Sequence, residues 1–163
     1  MRLGIISDTH GTLRPEVFEA FAEVDHILHG GDVGKWQIMI ELGALAPVTA
    51  VYGNTDGPEI RKRLPQVAMV QLDGFDFVVT HGDQYGSPTP AILHDAFPAA
   101  EIIVYGHTHK PLLELVDRTV TVVNPGSAGP RRFDHPVSVA IMELEPGIPP
   151  RARIVTLIER GGS

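Results

Sequence analysis

Glu101-Ile102-Ile103-Val104-Tyr105-Gly106-His107-Thr108-His109-Lys110-Pro111 is the stretch that decides how the chain is read. The run from Glu101 to Tyr105 is short, apolar and β-branched, as a buried strand requires. Pro111 cannot extend that strand, because it lacks the backbone N–H. Two imidazoles one residue apart therefore sit in a turn at the carboxyl end of a strand. Upstream, four more apolar runs end in a polar turn: Asp8-Thr9-His10, Gly30-Gly31-Asp32, Gly53-Asn54-Thr55-Asp56 and His81-Gly82-Asp83. Open α/β sheets place their sites at the carboxyl ends of strands. Five such turns point to one shared centre.

Working outward, Leu3 to Ser7 reads as a first strand and Arg14 to Val24 as a helix with Pro15 in its first turn. Asp25 to His29 is a second strand, Lys35 to Leu45 a second helix, and Pro47 to Tyr52 a third strand. This is βαβαβ, which implies parallel pairing. Beyond Gly57 the pattern changes. Gln66 to Leu72 and Phe75 to Thr80 flank Asp73-Gly74, a hairpin signal, and Pro90 to Phe97 is a short helix. Leu112 to Val116 and Thr119 to Val123 flank Asp117-Arg118 as a second hairpin. Val137 to Leu144 and Ala152 to Ile158 close the chain as strands around a turn from Pro146 to Pro150. Such a strand-rich half suggests a second sheet packed on the first. No repeat, low-complexity run or linker divides the chain, so residues 1–163 read as one domain.

Composition narrows the chemistry. The 163 residues are 43% apolar, enough for an ordinary core, and carry a formal charge of −7. Acidic residues are spread along the chain, and no basic face signals strong nucleic-acid binding. An anionic substrate is still compatible, because bound cations reverse the local sign. With no cysteine there is neither a disulfide framework nor a thiolate site, and any metal falls to His, Asp, Asn or Glu. No run is long enough for a signal peptide or a membrane span, so the expected location is cytoplasmic.

The strand-end turns offer Asp8, His10, Asp32, Asn54, His81, His107 and His109, enough for two divalent ions sharing one carboxylate. Two ions about 3.5–4 Å apart clamp the attacking and leaving oxygens of phosphoryl transfer, with a hydroxide between them as nucleophile. A bridging position wants a carboxylate. Asp-x-His and His-x-His in extended backbone would put both side chains on one side of the chain. Neutral Asn and His ligands leave more positive charge for an anionic substrate. Apart from Gly106-His107-Thr108-His109, which has some specificity by itself, each turn alone has an ordinary explanation: Asp8-Thr9-His10-Gly11 as a helix cap, Gly31-Asp32 and Gly53-Asn54 as plain turns, His81 as a core or surface histidine. The ordered combination does not. His26 is assigned to a strand edge, His94 to a helix face and His135 to a loop, while His29 is read as core packing or as support for the neighbouring turn.

The order Asp-x-His, Gly-Asp, Gly-Asn, His-Gly, Gly-His-Thr-His resembles the calcineurin-like metallophosphoesterase superfamily. Gly-Asn-Thr-Asp, and Asn124-Pro125-Gly126-Ser127 followed by Pro130-Arg131, look like its small bacterial and archaeal phosphodiesterase branch. The resemblance implies an α/β fold of two packed mixed β-sheets flanked by helices, a four-layer αββα arrangement. It also implies a metal-dependent phosphoric ester hydrolase, a phosphodiesterase acting on a small phosphoester through a hydroxide that bridges two divalent ions. Manganese leads among the metals, with iron, zinc or nickel as alternatives. By the same resemblance Asp8, His10 and His109 would hold one ion, Asn54, His81 and His107 the other, and Asp32 would bridge them. Asn124 to Ser127 would line the site, and Arg131 and Arg132 would reach the phosphate or face solvent. Larger members carry His after Gly-Asn as the acid for the leaving group; here Thr55 stands there, so Asp56, a metal-bound water or solvent takes that role. Many small relatives read His-Gly-His where this chain has His81-Gly82-Asp83. The competing reading is a non-catalytic protein-interaction scaffold of the same fold. Physiological substrate, diester against monoester preference, native metal, general acid and oligomeric state, a homo-oligomer included, stay open at the sequence level.

Overall fold

A computed structural model describes residues 1–131 and 134–158. In chain order its elements are β1 (Arg2–Ile6), α1 (Pro15–Ala20), β2 (His26–His29), α2 (Trp36–Gly43), β3 (Val48–Ala50), α3 (Pro58–Arg61), β4 (Val67–Leu72) and β5 (Phe75–Thr80). A 3₁₀ turn (Asp83–Tyr85) follows, then α4 (Pro90–Ala96), β6 (Ile102–Val104), β7 (Leu112–Val116), β8 (Val120–Asn124), β9 (Val137–Glu145) and β10 (Ile148–Ile158). Two five-stranded sheets result, ordered β10-β9-β1-β2-β3 and β4-β5-β6-β8-β7. Both are mixed. β1, β2 and β3 run parallel, as do β5, β6 and β8, while β9, β10, β4 and β7 pair antiparallel.

Strand alternation builds the layers. Leu3 and Ile5 of β1, Leu28, Phe77, Val79, Ile102, Val104, Ala140 and Met142 belong to one buried cluster that draws on both sheets. The residues between them face outward. Ile6, Ile27, Val139 and Ile141 pack with Val17, Phe21, Ile38 and Leu42 from the α1 and α2 segments. Val78, Ile103 and Val122 pack with Leu93 of α4. Central strands buried on both faces read as continuous apolar runs, which is why Glu101 to Tyr105 looks as it does.

The closing strands correct one expectation. β9 and β10 do not extend a second sheet; they return to the first, with β9 antiparallel to β1 from Arg2↔Glu143 to Ile5↔Ala140. β9 is apolar on both faces, so it suits an interior position and covers the side of β1 that β2 leaves open. β10 starts at Ile148, before the expected Ala152, and its register shifts between Ile148 and Arg151. Pro149 and Pro150 sit in that shift, on a sheet edge, where missing N–H groups cost little. β3 and β6 are shorter than expected because Val51 onward and Tyr105 onward leave their sheets to form polar loops. α1 also ends early, at Ala20. α3, a single turn opened by Pro58, lies where only a loop was expected.

Candidate metal centre

All five polar turns meet at one end of the two sheets. β1 and β2 deliver Asp8, His10 and Asp32 from one sheet; β5 and β6 deliver His81, His107 and His109 from the other. Asp8, Asp32, His81 and His109 are buried, and His10 is half-buried. The ligating atoms of Asp8, His10 and His109 lie within 4.8 Å of one another, and so do those of Asp8, Asp32 and His81.

Each carboxylate is split between support and site. Asp8 Oδ2 accepts from Ser7 Oγ at 2.7 Å and from the His107 N–H at 3.3 Å. Its other oxygen, Oδ1, has no hydrogen bond and stands 3.2 Å from His109 Nε2 and 3.9 Å from Nε2 of both His10 and His81. Asp32 Oδ1 accepts from the Thr55 N–H at 3.0 Å, leaving Oδ2 at 3.2 Å from His81 Nε2 and 3.7 Å from His10 Nε2. His81 donates through Nδ1 to the Gly30 carbonyl at 2.8 Å, so Nε2 carries the lone pair that faces the carboxylates. That Nε2 is buried and lacks hydrogen-bond alignment with any acceptor. Ligating atoms that converge on common points without bonding each other are an arrangement that cations complete.

Electrostatics agree. Burial pushes the Asp32 carboxyl upward, but His81 and the Thr55 N–H outweigh it and hold Asp32 well below the usual carboxylate range. Burial pushes His81 down; the adjacent Asp32 carboxylate, the charge of Asp8 and the Gly30 carbonyl overcome it and raise His81 to about 9. In the absence of metal a proton fills this position, and a cation would displace it.

The backbone corrects the extended geometry expected for the x-His pairs. Asp8 (φ 55°), His10 (φ 47°), Asp32 (φ 54°), His107 (φ 71°) and His109 (φ 61°) all adopt left-handed conformation. The remaining non-glycine residues with positive φ, among those described, are Asp73, Asp117 and Arg118 in hairpin turns. Such backbone is uncommon outside glycine and concentrates at sites where the surroundings enforce it. It is the turn, not pleat periodicity, that aims alternate side chains at one point. Two glycines permit the close packing: a Cβ on Gly53 would collide with Asp32 Oδ1, and one on Gly106 with Ser7 Oγ.

The other expected residues fall around this group. His107 is half-buried and meets His81 edge-on, ring centroids 5.2 Å apart. Asn54 and Thr55 are exposed at the crest of their loop; Thr55 serves Asp32 through its backbone N–H. Asp56 does not face the group as a proton donor would. Its buried carboxylate accepts from Val33, Gly34 and Gly53 N–H at 3.1, 2.9 and 2.9 Å, clamping the loop after β3 onto the turn after β2. Arg131 is half-buried; Arg132 lies outside the described residues. His26 bonds Thr49 within the sheet, not at its edge, and His94 on α4 meets Asp117.

The sequence placed His29 and Asn124 near the group without their bonds and did not single out Ser7 or Thr9 as support. His29 is fully buried, and burial lowers its pKa to about 4. Nδ1 accepts from the Gly31 N–H, so Nε2 carries the hydrogen and donates to Thr9 Oγ1, which donates to the Val33 carbonyl. Asn124 donates to the Gly106 carbonyl and to Thr108 Oγ1, holding the central turn from β8. Ser7, Thr9 and Asn124 each lie beside or between motif residues, and that adjacency was the available signal.

The comparisons with known proteins follow from this geometry. Residues 1–147 match the family model of the calcineurin-like phosphoesterase superfamily domain. The chain belongs to that superfamily. It is 34% identical, over 89% of its length and 87% of the relative's, to a probable metallophosphoesterase of Methanothermobacter thermautotrophicus. Another relative, a phosphodiesterase of Methanocaldococcus jannaschii, is 31% identical over 77% of this chain and 83% of its own. Among solved structures, an archaeal phosphodiesterase superposes with a TM-score of 0.76 at 28% identity, covering 96% of this chain and 100% of that one. Vps29 of Entamoeba histolytica in complex with zinc shares the fold, with a TM-score of 0.75 at 22% identity over 96% of this chain and 99% of that one. The chain is thus a metallophosphoesterase-family protein with candidate metal-ligand groups at the family's strand ends. Among the described residues, no helix is long and apolar enough to cross a membrane.

Proposed function

We propose that the chain is a metal-dependent phosphodiesterase with a dinuclear centre. The observation that carries this reading is the convergence of Asp8 Oδ1, Asp32 Oδ2 and the His10, His81 and His109 nitrogens at 3.2–3.9 Å without mutual hydrogen bonds. Asp8, His10 and His109 would hold one ion, Asn54, His81 and His107 the other, with Asp32 between them. The donor set is oxygen and imidazole only, which suits manganese first and iron, zinc or nickel next. When bound, two such ions supply a water-derived nucleophile at neutral pH and offset the charge of the phosphate. The chain's own residues set the stage: Ser7 and the Thr55 N–H fix the carboxylate rotamers, His81 is held in one tautomer by Gly30, and Asp56 fixes the loop carrying Asn54. Asp56 is fully engaged as an acceptor, so protonation of the leaving group falls to water, and esters with good leaving groups are the preferred substrates.

A scaffold role is the second reading, favoured by the Vps29 likeness. The zinc-bound Vps29 structure means that metal content alone does not separate the two. Turnover does. Purified protein supplied with Mn²⁺ is expected to contain about two metals per chain and to hydrolyse bis(p-nitrophenyl) phosphate. Asp8→Asn and Asp32→Asn should each lower kcat/KM by more than about 100-fold, since even residues that merely support ligands cost 10–100-fold. Undiminished hydrolysis in both variants would remove this centre from the reaction, and metal without any turnover would transfer the assignment to the scaffold.

A further inference from the structure

A cleft of about 460 Å³ lies beside the candidate centre and shares His107 with it, with Thr108 next in its lining. That volume is within the usual range for small-molecule sites and admits a nucleoside-sized group. Pro88, Pro90 and Leu112 supply apolar walls, while Ser87 and Thr89 bring hydroxyls. No carboxylate lines it, although the chain as a whole carries −7. The only lining residue with a formal charge is Lys110, which is exposed and forms no ion pair among the described residues. Lys110 follows the Gly106–His109 turn immediately, and its N–H is bonded to Thr108 Oγ1 at 3.3 Å. The backbone of Lys110 is thereby tied to the same turn that presents His107 and His109.

We infer that this cleft receives one ester arm of the substrate, and that it selects a ring-sized, largely apolar arm bearing its own anionic group, as a nucleotide does. The inference rests on the phosphodiesterase reading for its biological meaning, but the cleft's ligand preference can be measured without turnover. Apolar walls favour a ring over a short polar chain. An ammonium that forms no ion pair among the described residues favours an anion and repels a quaternary amine, so choline-type arms are disfavoured.

Two measurements on the purified full-length protein test this. The first is calorimetric binding of thymidine 3′,5′-bisphosphate. Binding in the micromolar to millimolar range is expected, weakened at least tenfold by Lys110→Glu and at least tenfold by Ser87→Trp, which fills the cleft from an exposed loop position. Absence of binding by the wild type, or equal binding by Lys110→Glu, would overturn the inference. The second compares kcat/KM for thymidine 3′-phosphate 5′-(p-nitrophenyl phosphate) with that for p-nitrophenylphosphorylcholine. The nucleotide ester should be preferred at least tenfold, and Lys110→Glu should lower that ratio at least tenfold. A wild-type preference for the choline ester, or a ratio unmoved by Lys110→Glu, counts against the cleft. If neither ester turns over while bisphosphate binding depends on Lys110, the catalytic reading fails and the cleft stands.

Discussion

At the scale of the residue, Asp56 and His29 carry consequences that the proposed ligands do not. Asp56 satisfies three N–H groups from two loops, with only 4% of its surface exposed. Hydrogen bonds to a charged acceptor contribute about 1.5–3 kcal/mol each, and orphaned buried donors add cost, so Asp56→Ala should destabilise the metal-free protein by about 3 kcal/mol or more in urea. As a proton donor, Asp56 would matter most for poor leaving groups. The clamp instead predicts an equal proportional loss of activity for nitrophenyl and phenyl esters, and a loss confined to phenyl esters would restore the acid role. His29 yields a pH dependence. Its folded pKa of about 4 lies below the ordinary 6.5, so its contribution is full above pH 6.5 and is lost as pH falls through 4. The slope is about 1.4 kcal/mol per pH unit, or about 3 kcal/mol across the window. His26, also lowered by burial, adds the same sign. His81, raised to about 9, gains stability as its unfolded form titrates near 6.5 and so opposes the decline between pH 7.0 and about 5.5; below that it is protonated in both states and adds no slope, and Asp32 titrates below the window. Urea denaturation in EDTA at pH 7.0, 5.5 and 4.5 should show this decline in the wild type and a flatter one in His29→Gln. A parallel decline in both would remove His29 from the account.

At the scale of the element, the turn from Gly106 to His109 depends on β8 as much as on β6. Asn124, the last residue of β8, bonds the Gly106 carbonyl and Thr108 Oγ1 at 3.1 and 3.0 Å and accepts from the Gly126 N–H at 2.9 Å. Its two donors are what the turn uses, so Asn124→Asp should weaken metal affinity nearly as much as Asn124→Ala, by about 10–100-fold. Chelator competition reads this directly, and wild-type affinity in Asn124→Asp would mean that the shape of the side chain, not its N–H groups, supports the turn. This contact also marks where sequence reading stops. β5 and β7 have the bounds that their alternation and their two-residue turns dictate, and the ligand-bearing turns are visible because Gly, Asp and His interrupt apolar runs. Partners across the fold are not visible in that way. The apolar character of Val137 to Leu144 says that both faces are buried but not that the neighbour is β1, more than 130 positions earlier. Nor does Asp56, three residues after Gly53, announce that its acceptors are spent on Val33 and Gly34. Local periodicity encodes which face is buried; non-local hydrogen bonds carry no period.

At the scale of the whole molecule, the centre is a seam. One sheet supplies Asp8, His10 and Asp32 at the ends of β1 and β2, and the other supplies His81, His107 and His109 at the ends of β5 and β6. Elsewhere the sheets are joined by the apolar cluster of Leu3, Ile5, Phe77, Val79 and Met142 and by the segment after β8, where Ser127 Oγ donates to the Asp8 carbonyl at 3.1 Å and the Ala128 N–H to the Ser7 carbonyl at 3.1 Å. Apolar contacts resist separation but tolerate sliding, whereas ligands shared by one ion fix both sheet ends at once. Metal binding should therefore stabilise both sheets together. A ligand held only by the folded state at about 1,000 times its Kd adds about 4 kcal/mol. Mn²⁺ added to chelated protein should raise the unfolding midpoint, and hydrogen exchange should slow in step at the carboxyl ends of β1 and β6. Asp32→Asn, which weakens the proposed bridge, should reduce both effects. Protection gained at β1 without β6 would place the ion within one sheet and exclude a shared centre.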